Sequence, residues 1–257
     1  MKGRNFSMSK LQHIVETVHT YLPDSITAAV ILAAGDSKRM GTVNKLFYRI
    51  NGIPVLGHTL IAYQKCPLIR EIVVVAKPED FGKIQAIKQR YGITKLTHYA
   101  NGGETRQESA KNGVEKLSDK VKYIAIADGA RCLTTPTQIT KVCLSAYRQM
   151  AACAAHQVTD TVKRATVLHN TTETVARENL WEMQTPQVFH SALYKAAMLK
   201  AQDENTSATD DATLIEKLGY RVHLIECGIG NIKITTVEDI PLAEAVINYR
   251  NRNKQQL

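Results

Sequence analysis

Ala28-Ala29-Val30-Ile31-Leu32-Ala33-Ala34-Gly35-Asp36-Ser37-Lys38-Arg39-Met40-Gly41 is the stretch on which the fold turns. Its first five residues form a short apolar run, the pattern of a strand buried on both faces. The small residues Ala33, Ala34 and Gly35 follow at once and let a ligand approach the backbone closely. In open α/β sheets ligands bind beyond the carboxyl ends of the strands, where backbone N–H groups can cradle a phosphate. Two familiar phosphate patterns do not fit. A Walker A loop requires GxxxxGK[ST], but five residues separate Gly35 from Gly41, and Thr42 follows. A dinucleotide fingerprint requires GxGxxG, but Ser37 and Met40 stand at its later glycine positions. Arg39 and Lys45 place two cations just after the small-residue turn, a combination suited to a triphosphate.

Outward from this loop, apolar runs alternate with helical periodicity. Ile72–Val75 and Tyr123–Ala127 predict further buried strands. Phe47–Ile50 predicts a strand turned by Asn51-Gly52, and residues 55–64 and 79–91 predict helices. Such β-α alternation implies an α/β fold with a mainly parallel sheet flanked by helices. Residues 152–176 break the rhythm. They are rich in Thr and Val around a polar turn at His169-Asn170, which predicts an inserted hairpin. Before the domain, Leu11, Ile14, Val15, Val18 and Leu22 recur at helical spacing. Residues 1–26 therefore read as an N-terminal helical extension ending near Pro23, with the main domain over 27–257.

Composition bounds the partners. The 257 residues are 44% apolar and 22% charged, which excludes a disordered chain. No run approaches the roughly 18 apolar residues of a membrane helix. Thirty-three Lys and Arg against 24 Asp and Glu give a net charge of +9, suited to an anionic ligand. The basic residues are dispersed and aromatics are only 6%, so the basic stripe with interleaved aromatics of a nucleic-acid binder is missing. Cys66, Cys132, Cys143, Cys153 and Cys227 are odd in number and form no CxxC pair. That pattern fits a reduced, cytoplasmic chain rather than a disulfide framework or a zinc site.

Six segments in order carry a resemblance. They are Leu32–Lys45; Gly102-Gly103-Glu104-Thr105-Arg106-Gln107-Glu108-Ser109; Asp128-Gly129-Ala130-Arg131; Thr159–Lys163; Arg177–Gln187, containing Leu180-Trp181 and Thr185; and Asn231-Ile232-Lys233-Ile234-Thr235. Over residues 27–248 the chain resembles the 2-C-methyl-D-erythritol 4-phosphate cytidylyltransferase family, Rossmann-like nucleotidyltransferases of the non-mevalonate isoprenoid pathway. The resemblance implies CMP transfer from CTP to a polyol phosphate, with direct attack on the α-phosphorus and no protein nucleophile. It implies catalytic roles for Arg39, Lys45 and Lys233. Ala33, Ala34, Gly35, Gly103, Glu104, Ser109 and Gly129 would bind the nucleotide, and Arg131, Thr161, Arg177 and Thr185 the polyol phosphate. Asp128 and Asp210 would hold Mg²⁺, although Thr209-Asp210 also reads as an ordinary helix start. It further implies a homodimer through a β-arm at about 152–180, and no membrane or nucleic-acid partner. The family often has Pro and Gln around the lysine where this chain has Asn44 and Leu46. It has Ala and Pro where this chain has Gly129 and Cys132, and Glu where this chain has Asp211. Two alternatives stay open on sequence: a ribitol-5-phosphate cytidylyltransferase and an inactive nucleotidyltransferase-like binding module.

Overall fold

Apolar strands too short and too hydrophobic to face water on either side need cover on both, and that requirement sets the architecture. A computed structural model describes residues 26–35 and 44–254. The N-terminal helix expected over 1–26 lies outside the described residues except for Ile26, and Arg39 lies outside them too. The central sheet comprises β1 (Thr27–Leu32), β4 (Ile69–Ala76), β5 (Leu96–Asn101), β6 (Tyr123–Asp128), β7 (Ala151–Gln157), β10 (Trp181–His190) and β11 (His223–Glu226). Its order is β11-β7-β10-β6-β1-β4-β5. Only β10 runs antiparallel to its neighbours. This is the mainly parallel, Rossmann-like sheet expected from the alternation.

The helices divide between the two faces. Val55–Lys65 (α1), Phe81–Tyr91 (α2), Pro136–Gln149 (α4) and Asp239–Lys254 (α7) pack with the Ala29 and Ile31 side of β1. Arg106–Val114 (α3), Ser191–Asp203 (α5) and Asp211–Lys217 (α6) pack with the Ala28 and Val30 side. Local signals fix the ends. Gly92 takes φ 62° to close α2. A capping box between Thr135 and Gln138 starts α4. Asn51 and Gly52, both at positive φ, turn the short hairpin of β2 (Arg49–Ile50) and β3 (Ile53–Pro54). The strand expected over 47–50 is shorter than its pattern, because the Asn44 side chain accepts the Leu46 N–H and winds Lys45–Phe47 into a 3₁₀ turn.

The insertion at 152–176 is two things rather than one. Ala151–Ala155 is a fully buried run of small residues and belongs to the central sheet as β7, between β10 and β11. The separate hairpin consists of β8 (Val162–Ala165) and β9 (Thr171–Val175), which among the described residues pair only with each other. Its tip carries Val167, 94% exposed, and Leu168, 77% exposed. His169 at φ 62° makes the turn that the sequence placed there.

Close packing of α3 on the sheet yields a test. A Cβ on Gly113 would lie 2.4 Å from Val30 Cγ1 and 2.6 Å from Val75 Cγ2, both buried β-branched side chains on neighbouring strands. Gly113→Ala adds up to ~1 kcal/mol of helix propensity, but overpacking of this kind costs about 1–3 kcal/mol. We expect a lower urea midpoint at unchanged slope. A midpoint at or above that of the parent would show that α3 is not seated this tightly.

Candidate functional site

Three strands deliver their carboxyl ends to one place. In register, Leu32 of β1 faces Val75 of β4 on one side and Asp128 of β6 on the other. The loops leaving these ends enclose a cavity of about 310 Å³. Ala33, Ala34, Gly35, Lys45, Gly103, Glu104, Ser109, Asp128 and Lys233, all expected site residues, line it together with Arg106 and others. The two small-residue loops touch there. A Cβ on Gly102 would stand 2.3 Å from Ala34 Cβ, so only glycine permits this approach. Gly102 N–H donates to Ala76 O, extending the β4–β5 pairing into the loop. Ser109 Oγ accepts the Gly103 N–H at 3.0 Å and donates to Thr105 O at 2.9 Å, which fixes the loop against the first turn of α3.

The electrostatic centre is Asp128. Lys233 Nζ lies 3.0 Å from its Oδ2, Arg131 Nε 3.5 Å from the same oxygen, and Arg106 Nε 4.0 Å from Oδ1. Burial alone would raise this carboxyl, but Lys233, Arg106 and Arg131 outweigh it and hold it below the ordinary aspartate value. Behind it, the Asp128 N–H donates to Thr185 Oγ1 at 3.1 Å. Thr185 is buried there, as its place in β10 dictates.

Lys233 sits on a loop held by buried polar contacts. Asn231 has no exposed surface. Its amide donates to Gln184 Oε1 and Thr185 O, both at 3.0 Å, and its Oδ1 accepts from Thr134 Oγ1 at 2.8 Å. Arg131 donates to Asn231 O at 2.7 Å and to Met183 O at 3.3 Å. Its guanidinium is therefore largely committed to the scaffold and is only 12% exposed.

Other expected residues lie elsewhere. Gly129 is buried, and both its backbone groups have protein partners, Leu32 O and Thr59 Oγ1. Asp210 caps α6: Oδ1 accepts from the Thr213 N–H and hydroxyl, and Oδ2 from Gln187 Nε2. Among the described residues no cluster of three or more His, Cys, Asp or Glu is placed to hold a metal. Thr161 and Arg177 are exposed at the base of the β8–β9 hairpin, where Arg177 donates to Thr159 O. Arg106 was missed. It lies inside a quoted motif, but a cation in the first turn of a helix carried no sequence signal of its own. No described helix is long and apolar enough to cross a membrane.

Residues 27–249 match the family described as 2-C-methyl-D-erythritol 4-phosphate cytidylyltransferase. A protein of that name from Alkaliphilus metalliredigens is 38% identical over 234 residues, 90% of this chain and 97% of its own. Another from Pelotomaculum thermopropionicum is 39% identical over 226 residues, 87% of this chain and 94% of its own. The solved structure of 4-diphosphocytidyl-2C-methyl-D-erythritol synthase from Anaerococcus prevotii superposes with a TM-score of 0.78 at 28% identity. It covers 89% of this chain and 99% of that one.

The depressed Asp128 carboxyl has a signed consequence for stability. Its folded pKa lies below the unfolded value of about 3.9, so its ionisation stabilises the fold above that pH. The contribution is lost as pH falls through the folded value. Urea midpoints taken between about pH 5 and pH 2.5 should fall for the parent, and part of that acid slope should vanish in Asp128→Asn. Identical slopes would show that Asp128 is not held ionised by its cations.

Proposed function

The chain belongs to the 2-C-methyl-D-erythritol 4-phosphate cytidylyltransferase family, and from that membership we propose how its pocket works. It transfers CMP from CTP to 2-C-methyl-D-erythritol 4-phosphate and releases pyrophosphate, a step of non-mevalonate isoprenoid synthesis. The observation that carries this is a single cavity lined by the 33–35 loop, the Gly103–Ser109 turn, Lys45 and the paired Lys233 and Asp128. The acceptor phosphate is itself the nucleophile, so the protein's work is to align two polyanions and neutralise the charge that builds between them. Lys45 and Lys233, with Arg39, supply that charge. Ala33, Ala34 and Gly35 offer close backbone to the triphosphate, and Gly103, Glu104 and Ser109 meet the cytosine edge. Gly129 supports this wall from behind.

Mg²⁺ fits the donor set in one way. Among the described residues Asp128 Oδ1 has one ion pair, the 4.0 Å contact with Arg106, and Asp128 lines the pocket, whereas both Asp210 oxygens serve α6 and Gln187. One carboxylate with substrate phosphates and waters is a usual Mg²⁺ environment. Asp128 would hold the ion, which would offset charge on the phosphates. On the acceptor side the hairpin residues Thr161 and Arg177 would meet the polyol phosphate, with Arg131 and Thr185, both held by the scaffold, behind them. Since among the described residues the hairpin pairs only with itself and exposes Val167 and Leu168, we propose that it packs on a second copy. It then lends Thr161 and Arg177 to that copy's pocket.

Pyrophosphate release from CTP tests the reaction, with methylerythritol phosphate against ribitol phosphate as acceptor. Turnover with the first only is expected. Preference for ribitol phosphate, or none with either, overturns the assignment. Lys45→Ala should lower kcat by about a hundredfold or more, the scale of one lost transition-state donor, and unchanged kcat would remove this loop from the chemistry. For the arm, Lys45→Ala protein is mixed with Arg177→Ala protein and subunits are exchanged. A two-fold dimer then holds one site with both defects and one with neither, so about half the parental activity per mixed dimer should return. Confirmed exchange without recovery would place Arg177 in its own subunit's site.

A further inference from the structure

Arg106 stands where simple helix physics disfavours it. It is the first residue of α3, and the positive end of a helix dipole repels a cation. What holds it is Asp211. Arg106 Nη1 lies 2.6 Å from Asp211 Oδ2, and that carboxylate is 1% exposed. Asp211 is itself held by hydrogen bonds: its Oδ1 accepts from the Tyr194 hydroxyl, and its N–H donates to Gln187 Oε1 at 3.0 Å. From this anchor the guanidinium reaches the cavity wall, with Nε 4.0 Å from Asp128 Oδ1. The other Asp128 oxygen faces Lys233 at 3.0 Å and Arg131 at 3.5 Å. The carboxylate thus has cations on both sides, Lys233 closest and Arg106 at the outer reach of an ion pair.

We propose that Arg106, anchored by the buried Asp211, is a positioning residue that holds Asp128 from the Oδ1 side and so keeps Lys233 aimed into the pocket. The inference rests on the cytidylyl-transfer reading above. A stability role alone accounts poorly for the arrangement, because buried ion pairs seldom outperform apolar packing of the same volume. Here the charges also link α3, α6 and the end of β6 across the catalytic wall.

The test uses Asp211→Asn, which frees Arg106 while leaving its charge in place. In single-turnover and steady-state assays with CTP, kcat should fall about tenfold while KM for CTP stays within about threefold, the pattern of a lost transition-state arrangement. In an Asp128→Asn background the same substitution should change kcat by less than about twofold, because what Arg106 positions is already gone. Equal losses in both backgrounds, a change in KM alone, or no change would overturn the proposal. A second variant guards against misfolding: Arg106→Gln with Asp211→Asn removes both charges and leaves no lone buried ion. It should melt near the parent yet show the same kcat loss, and parental kcat in it would also overturn the role. If the parent itself transfers no CMP, the functional reading fails; if the parent turns over and the variants match it, this inference alone fails.

Discussion

A single carboxylate, Asp128, at the end of β6 organises the described part of the site. A lone buried aspartate would be driven to protonate. Three cations from different parts of the chain prevent this: Arg106 from α3, Arg131 from the turn after β6, and Lys233 from a late loop. Each cation in turn gains a fixed counter-charge in a pocket whose substrates are polyanions. The cluster carries more positive than negative charge, even with Asp211 included. Such a surplus leaves electrostatic attraction for phosphate after the internal pairs are made.

Strand β10 supplies the stiffness behind that cluster. Thr185 holds the Asp128 backbone, Gln184 holds Asn231, and Gln187 holds both Asp210 and the start of α6. Three near-consecutive side chains therefore tie β6, the Lys233 loop and the Asp211 anchor to one strand. Arg250 of α7 adds a tie from outside, donating to Leu133 O and Gly230 O. The buried amide and carboxylate groups are costly unless paired, and in Asn231 every donor and acceptor position named above has a partner. That is why a polar side chain can be fully buried there.

Much of this was visible in the chain, for identifiable reasons. Buried strands announce themselves by unbroken apolar runs, so the runs 28–32, 72–75 and 123–127 mark β1, β4 and β6 with no end off by more than three residues. The loops at their carboxyl ends followed from topology, and nine of the expected site residues line one cavity. What escaped was contact between distant residues. The alanine-rich β7 was assigned to the hairpin because small residues and threonines give no clear period. Arg106 escaped because its partner, Asp211, lies 105 positions away. Asp210 was open to two readings at the sequence level, and its hydrogen bonds assign its side chain to the helix start.

The pairing of β10 with β7 breaks register between Met183 and Gln187. On the outer side, Trp181–Met183 follow directly from the hairpin. On the inner side, Gln187–Phe189 lie between β6 and β7. The discontinuity divides the strand into two segments with separate duties. Gln184 and Thr185, which hold Asn231 and the Asp128 backbone, lie inside this break, so the hairpin-bearing segment meets the site at its braces. A change of length in the outer segment would therefore be felt first at the side chains that brace Asp128 and the Lys233 loop.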